Sequence, residues 1–188
     1  VEDREDLELV RQARSGLREA YEALVRRHHA RVLQLCLCLL SDRSRAEDAA
    51  QEVFLKAYRS LEGFEGACSL STWLHRVATN HCLDVLRKEA RRRTESLDEL
   101  VEREGERLQR ALGSSSDPSR PLEAADLASR ILSCLPEEQR AALVLRETQG
   151  LSYREIAQAL ECSVDSVKAR LRRARAILQE KLRHFSGP

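Results

Sequence analysis

Apolar residues recur at spacings of three and four along most of the chain, and a capping residue or a glycine stands at nearly every break in that rhythm. The pattern predicts helices. Leu7, Leu9, Val10 and Ala13 mark a short one over Asp6 to Ala13 that ends near Gly16. A long second helix begins around Leu17 and carries Ala20, Tyr21, Leu24, Val25, Val32, Leu33, Leu35, Cys36, Leu39 and Leu40. After the break SDRSRAED, Ser44 and Glu47 have capping-box spacing for a third helix. Ala49, Val53, Ala57 and Leu61 form its apolar side with Phe54 and Tyr58 beside them, and Asp48, Gln51, Glu52, Lys56 and Arg59 line the other. Gly63 to Ser71 reads as a loop with an exposed aromatic, Phe64. Ser69 or Ser71 then caps a helix through about Arg92, its buried side marked by Leu70, Leu74, Val77, Ala78 and Val85. Trp73, Arg76, Asn80 and Arg87 form a second stripe whose groups can stack on and hydrogen-bond an unpaired base, although Trp73 taken alone is better read as an ordinary core residue.

From Thr94 to Leu127 the pattern fails, and the stretch GSSSDPSRP has the low complexity of a linker with at most one marginal helix. Order returns with Leu127, Ile131, Leu132 and Leu135; Pro136 starts the helix EEQRAALVLRETQ, and Gly150 ends it. Ser152 and Glu155 form a capping box before Ile156, Ala157 and Leu160. Glu161 and Cys162 leave room only for a tight turn. Ser163 caps a last helix with Val164, Val167, Leu171, Ala174, Leu178 and Leu182 on its apolar side. That is a helix-turn-helix. Ser166, Ala169, Arg172 and Arg173 fall opposite the apolar stripe, with Lys168 and Arg170 on the flanks, a face suited to a DNA major groove. A solvated basic face is the bland alternative, and the capped helix and short turn before it favour DNA. The expected fold class is all-α, with helical domains at residues 1–93 and 128–188, the second a four-helix helix-turn-helix domain, joined by a flexible acidic linker at 94–127.

Net charge of +1 gives no hint of a nucleic-acid partner, but its distribution does. Ser163 to Arg183 holds seven Lys or Arg against two acids, Arg87 to Arg93 five against one, and Glu95 to Asp126 nine acids against four arginines. No apolar run suits a membrane span and the N-terminus has no secretion-signal pattern, so a cytoplasmic protein without membrane insertion is expected. Its 6 cysteines are then expected to be reduced, small buried residues. The spacing of His28, His29, His81 and Cys82 matches no standard zinc site, and no metal or cofactor is expected. Without a phosphate-binding glycine loop, an H-E-x-x-H or a nucleophile elbow, an enzyme is not expected.

Three motifs in order, DRSRAEDAAQEVFLKAYRSL, FEGACSLSTWLHRVATNHCLDVLRK and LPEEQRAALVLRETQGLSYREIAQALECSVDSVKARLRRARAIL, resemble regions 2.2, 2.3–2.4 and 4 of a bacterial group IV, or extracytoplasmic function (ECF), sigma factor of the sigma-70 family. The resemblance spans nearly the whole chain. It implies that Asp48, Gln51, Glu52, Phe54 and Lys56 lie on or near the surface that docks on the clamp helices of core RNA polymerase. It also implies that the loop from Phe64 to Ser71, with Cys68 and Ser69, receives a base flipped from the minus-ten element. Trp73 and Asn80 then help to open and hold that strand, with Arg76, Arg87 and Lys88 near phosphates. Lys168, Ala169, Arg170, Arg172 and Arg173 face the minus-thirty-five element of promoter DNA. The acidic linker is similar in position to the segment that threads polymerase.

His75 stands where the family often has Tyr, Ser71 where a basic or polar residue is common, and Cys68 sits within the loop; these departures bear on promoter sequence, not on class. With the sequence ending at Pro188 soon after region 4, control by a separate anti-sigma factor is expected rather than by a fused sensor. The competing reading is a helix-turn-helix regulator with a thiol- or metal-sensing N-terminal domain, against which the region 2 motifs count.

Overall fold

The computed structural model describes residues 2–100 and 132–185, and every regular element in them is helical. Helices α1 (Glu2–Arg14), α2 (Arg18–Leu40), α3 (Arg43–Ser60) and α4 (Leu70–Leu100) precede α5 (Glu137–Glu147), α6 (Tyr153–Ala159) and α7 (Val164–Phe185); a short 3₁₀ turn, Leu61–Gly63, follows α3. Most predicted boundaries hold. Gly16 and Gly150 both adopt positive φ, as required where the chain leaves a helix through a left-handed residue. The Ser152–Glu155 capping box is complete, with each side chain meeting the other's backbone N–H.

Two boundaries differ from the sequence reading, and one open choice is decided. Asp42, not Ser44, caps α3: its carboxylate accepts the Arg45 N–H at 2.8 Å, a stronger acceptor placed one residue before the helix. Ser69 rather than Ser71 caps α4, accepting from Thr72 N–H at 3.1 Å. The backbone of α4 also continues past Thr94 to Leu100, into the stretch assigned to the linker. The rest of the linker, with its expected marginal helix, and the start of the first region 4 helix lie outside the described residues.

Helices α2, α3 and α4 pack as a bundle around Val32, Leu35, Leu39, Val53, Leu74 and Cys82. On α3 the inward face is mostly Ala46, Ala49, Ala50 and Ala57, all buried, so small side chains allow the backbones to approach closely. Helix α1 lies along α2, where the buried Asp6 accepts from His28 Nε2 at 2.8 Å and from Arg27 at 2.8 Å. In the C-terminal unit, Leu145, Ile156, Val167 and Leu171 seal α5, α6 and α7 together.

The two units also pack on each other, which the picture of tethered, separated modules did not anticipate. Arg140 of α5 donates from Nη1 to the carbonyl of Leu39 at 2.7 Å, and from Nη2 to Ser133 and Leu135 at 3.1 and 3.2 Å. Leu39 is in the last turn of α2, where Ser41 N–H meets the Leu37 carbonyl and no basic residue of α2 itself stands. The second unit thus supplies a donor to the Leu39 carbonyl.

Candidate nucleic-acid and polymerase interfaces

Three surfaces bring the expected residues together. On α3, Asp48, Gln51, Glu52 and Lys56 are exposed as expected. Phe54 is not: it is 7% exposed and stacks on His29 with ring centroids 6.2 Å apart, because it falls on the same side as Val53 and Ala57. Leu55 and Tyr58 take its place outside, at 49% and 55% exposure. Sequence reading missed Leu55. The signal was there: Gln51, Leu55 and Tyr58 follow at spacings of four and three, so a large apolar residue interrupts an otherwise polar stripe. Lys56 Nζ lies 2.8 Å from His81 Nδ1 on α4, and burial followed by this cation lowers the His81 pKa.

The second surface is the loop before α4. Phe64, expected to be exposed, is buried at 4% and packs on Trp73 with centroids 5.4 Å apart. The 3₁₀ turn causes this, because its closing bond from Phe64 N–H to the Leu61 carbonyl, at 3.1 Å, turns the ring inward. Cys68, Ser69 and Ser71 are half-buried around the resulting loop, Arg76 and Asn80 follow half-buried on α4, and Arg87 and Lys88 are exposed. Cys68, Thr72, Trp73 and Arg76 line one side of a cavity of about 200 Å³, and Gln158 and Ala159 of α6 close the other. Burial raises the Cys68 thiol pKa above its ordinary value, with Arg76 opposing, so the thiol is the resting form.

The third surface is α7. Ser163 caps it through Ser166 N–H at 3.1 Å, and Glu161, with φ of 49°, makes the tight turn. Val167, Leu171 and Ala174 are buried, which leaves Lys168, Arg172 and Arg173 exposed and Ser166 and Ala169 half-buried. Arg170 differs from its neighbours. Its side chain is 17% exposed and pairs with Glu138 at 2.7 Å, while Arg87 of α4 lies 3.9 Å from the same carboxylate. Glu138 therefore holds two arginines that the sequence assigned to different DNA elements.

Residues 24–92 match the family model described as sigma-70 region 2, and residues 126–178 match that of sigma-70 region 4. The chain belongs to the sigma-70 family. It is 34% identical over 181 residues to the RNA polymerase sigma-H factor of Pseudomonas aeruginosa, covering 95% of this chain and 94% of that one. The ECF RNA polymerase sigma-E factor of Escherichia coli is 34% identical over 180 residues, at 94% of each chain. Among solved structures, CnrH in complex with the cytosolic domain of CnrY superposes with a TM-score of 0.70 at 26% identity, covering 97% of this chain and 99% of that one. The sigma factor RpoE of Bartonella quintana, solved with the anti-sigma factor NepR, shares the fold with a TM-score of 0.63 at 24% identity, covering 87% of this chain and 96% of that one. This sigma factor is thus of the ECF type, a transcription initiation factor. Among its described residues no helix is long and apolar enough to cross a membrane. None of their His, Cys, Asp and Glu side chains form a group of three or more that could hold a metal.

His75, one of the three departures from the family pattern, lies in this sigma factor where the two units meet. It is 3% exposed, and burial, reinforced by His28 and Arg31 of α2, pulls its pKa from 6.5 to about 4; Gln149 and Glu155 of the C-terminal unit oppose this weakly. An unfolded chain takes up this proton near pH 6.5, and the folded one only near pH 4. Between those values the unfolded state binds more protons, so the stability is whole above about pH 6.5 and falls as pH drops toward 4. The expected loss through this group is about 2 kcal/mol at pH 5. Urea unfolding at pH 7.5 and pH 5 checks it, with the His75→Leu protein expected to show a smaller difference between the two.

Proposed function

We propose that each exposed surface of this sigma factor performs one step of promoter-specific initiation. The outer face of α3, with Gln51, Glu52, Leu55 and Tyr58, docks on core polymerase. Two apolar side chains among charges supply the buried contact, and the charges set orientation. The loop from Phe64 to Ser71 takes the flipped minus-ten base, with Phe64 and Trp73 as its rigid apolar floor rather than as exposed stacking platforms. Asn80, Arg76, Arg87 and Lys88 continue along α4 toward the strand that leaves the loop. Ser166, Lys168, Ala169, Arg172 and Arg173 of α7 enter the major groove of the minus-thirty-five element.

A flipped base repays the cost of unstacking, a few kcal/mol, only when it fits its pocket, so recognition and melting occur together. Duplex contacts by α7 position the complex and contribute most of its salt dependence. In the absence of polymerase, an anti-sigma factor covers the α3 face in the cytoplasm; membership of the ECF group supports this partner. The residues assigned to 1–93 and 128–188 then act as separate domains on either side of the linker.

The observation that carries the reading is that each matched segment, 24–92 and 126–178, contains a folded unit whose exposed side chains suit its own task. Run-off transcription by purified core polymerase with this chain, on promoters carrying single changes in either element, is the test. Transcripts are expected only when both elements are intact. Leu55→Ala and Tyr58→Ala together are expected to weaken core binding about tenfold or more with only a small fall in the unfolding midpoint, since both residues are about half exposed and Tyr58 gives up its edge-on contact with Tyr21. Equal core binding by this double variant would remove the α3 face from the proposal.

A further inference from the structure

Helix α1 lies outside the segment matched as region 2, which starts at residue 24, yet its last residue reaches the loop proposed to capture the flipped base. The Arg14 guanidinium donates from Nε and Nη2 to the carbonyl of Leu61 at 3.0 and 2.8 Å, from Nη2 to that of Glu62 at 2.9 Å, and also to that of Phe64. The first two belong to the 3₁₀ turn, and the third is Phe64, the residue that closes the turn and packs on Trp73. The Leu61 carbonyl also accepts Phe64 N–H within the turn, and one cation fixed over all three carbonyls locks their mutual orientation. Further along the same helix, Leu7 Cδ2 lies 3.8 Å from where a Cβ on Gly66 would stand, so α1 also backs the middle of the loop. The far end of α1 is anchored independently, through Asp6 with Arg27 and His28 of α2.

We propose that α1 is a brace for the minus-ten loop and that Arg14 is a positioning residue for base selection. It touches no DNA. By fixing the backbone at Leu61, Glu62 and Phe64 it sets where the floor of the pocket stands, and so which base fits. This inference rests on the assignment of the Phe64 to Ser71 loop to base capture. A charged donor spread over several carbonyls suits this task, because it holds the turn without adding a bulky apolar group beside the pocket. Lysine cannot replace it, since one ammonium cannot meet the same acceptors as a planar fork.

The experiment uses holoenzyme reconstituted from core polymerase and full-length chain, on fork-junction promoter DNA carrying each of the four bases at the flipped position. Arg14→Ala and Arg14→Lys are expected to bind core polymerase and minus-thirty-five duplex as the unaltered protein does. Their discrimination between the best and worst base is expected to fall about tenfold, the scale of a lost charge-assisted hydrogen bond. Ser69→Ala, within the loop, tests the underlying assignment separately. If Ser69→Ala alters base discrimination and both Arg14 variants leave it intact, the brace is overturned while the loop assignment stands. If none of the three alters it, the loop assignment falls and the brace with it. Parallel loss of core binding, duplex binding and discrimination in both Arg14 variants would show a merely structural role and overturn the proposal too. Should Arg14→Ala fail to fold, Arg14→Lys, which retains the charge and the stem, decides.

Discussion

Replacing Arg140 with alanine is expected to separate the two helical units, at a cost of about 3 kcal/mol to the closed arrangement. The side chain is 8% exposed and donates to three carbonyls, of Leu39, Ser133 and Leu135. Each buried acceptor left without a donor costs about 1–3 kcal/mol. The sum is held down because Arg140 Nε has no acceptor, and burial already lowers the pKa of the guanidinium. The bond to Leu39 crosses between the units beside the apolar packing of α2 and α4 on α5 and α6, and other polar pairs across that junction are weaker: Thr72 Oγ1 donates to Glu155 at 3.4 Å, and the Arg87–Glu138 pair is half-exposed. Small-angle scattering should show a larger radius of gyration for Arg140→Ala, and thermal unfolding should resolve into two transitions. There is a functional counterpart. Because Gln158 and Ala159 of α6 face Trp73 and Arg76 across the cavity, separation should also increase binding of a single-stranded minus-ten oligonucleotide by the free protein. An unchanged radius together with a single unshifted transition would show that Arg140 does not hold the units together.

What the sequence made legible follows from the range of the forces involved. Helices and caps are local, so the capping box of Ser152 and Glu155, the turn at Glu161 and the glycine exits at Gly16 and Gly150 could be read from spacing and residue type. The apolar face of α7 was equally legible, since Val167, Leu171 and Ala174 are buried at the positions its period assigns. Burial of single aromatics was less so. Phe54 lies next in sequence to both the core residue Val53 and the exposed Leu55, and only the direction of α3 against α2 decides which of them points outward. Phe64 looked like a free loop aromatic until the 3₁₀ turn folded it onto Trp73. Long-range pairs were invisible. Nothing near Arg140 indicates that its acceptor is Leu39, and nothing near Arg14 indicates the turn at Leu61, because such partners are set by how helices dock and not by sequence neighbours.

The same distinction separates the arginines of α7, whose exchange carries the largest expected effect on DNA binding. Arg172 and Arg173 are exposed, and neither has an acidic side chain within salt-bridge distance among the described residues. Arg170 is mostly covered by Glu138 and by Cys162, whose Sγ lies 3.5 Å away. A guanidinium that reaches a base edge or a phosphate contributes about 1–3 kcal/mol, so Arg172→Ala with Arg173→Ala should lower affinity for minus-thirty-five duplex by roughly 30- to 20,000-fold at fixed salt. If both meet phosphates, the slope of log affinity against log salt should become shallower by about 1.8, near 0.9 for each contact. If one reads a base instead, the slope should change by about half as much and preference at one base pair should relax. Arg170→Ala should behave differently, because it vacates a pair that anchors α7 to the start of α5. Its main effect should be a lower unfolding midpoint, with a smaller change in salt slope than either exposed arginine produces. Fluorescence anisotropy of labelled duplex across a salt series, run beside thermal unfolding, measures both quantities on the same proteins. A steeper loss of salt dependence for Arg170→Ala than for Arg172→Ala or Arg173→Ala would mean that Arg170 leaves Glu138 when DNA binds, and that the closed arrangement conceals a DNA contact and not a structural one.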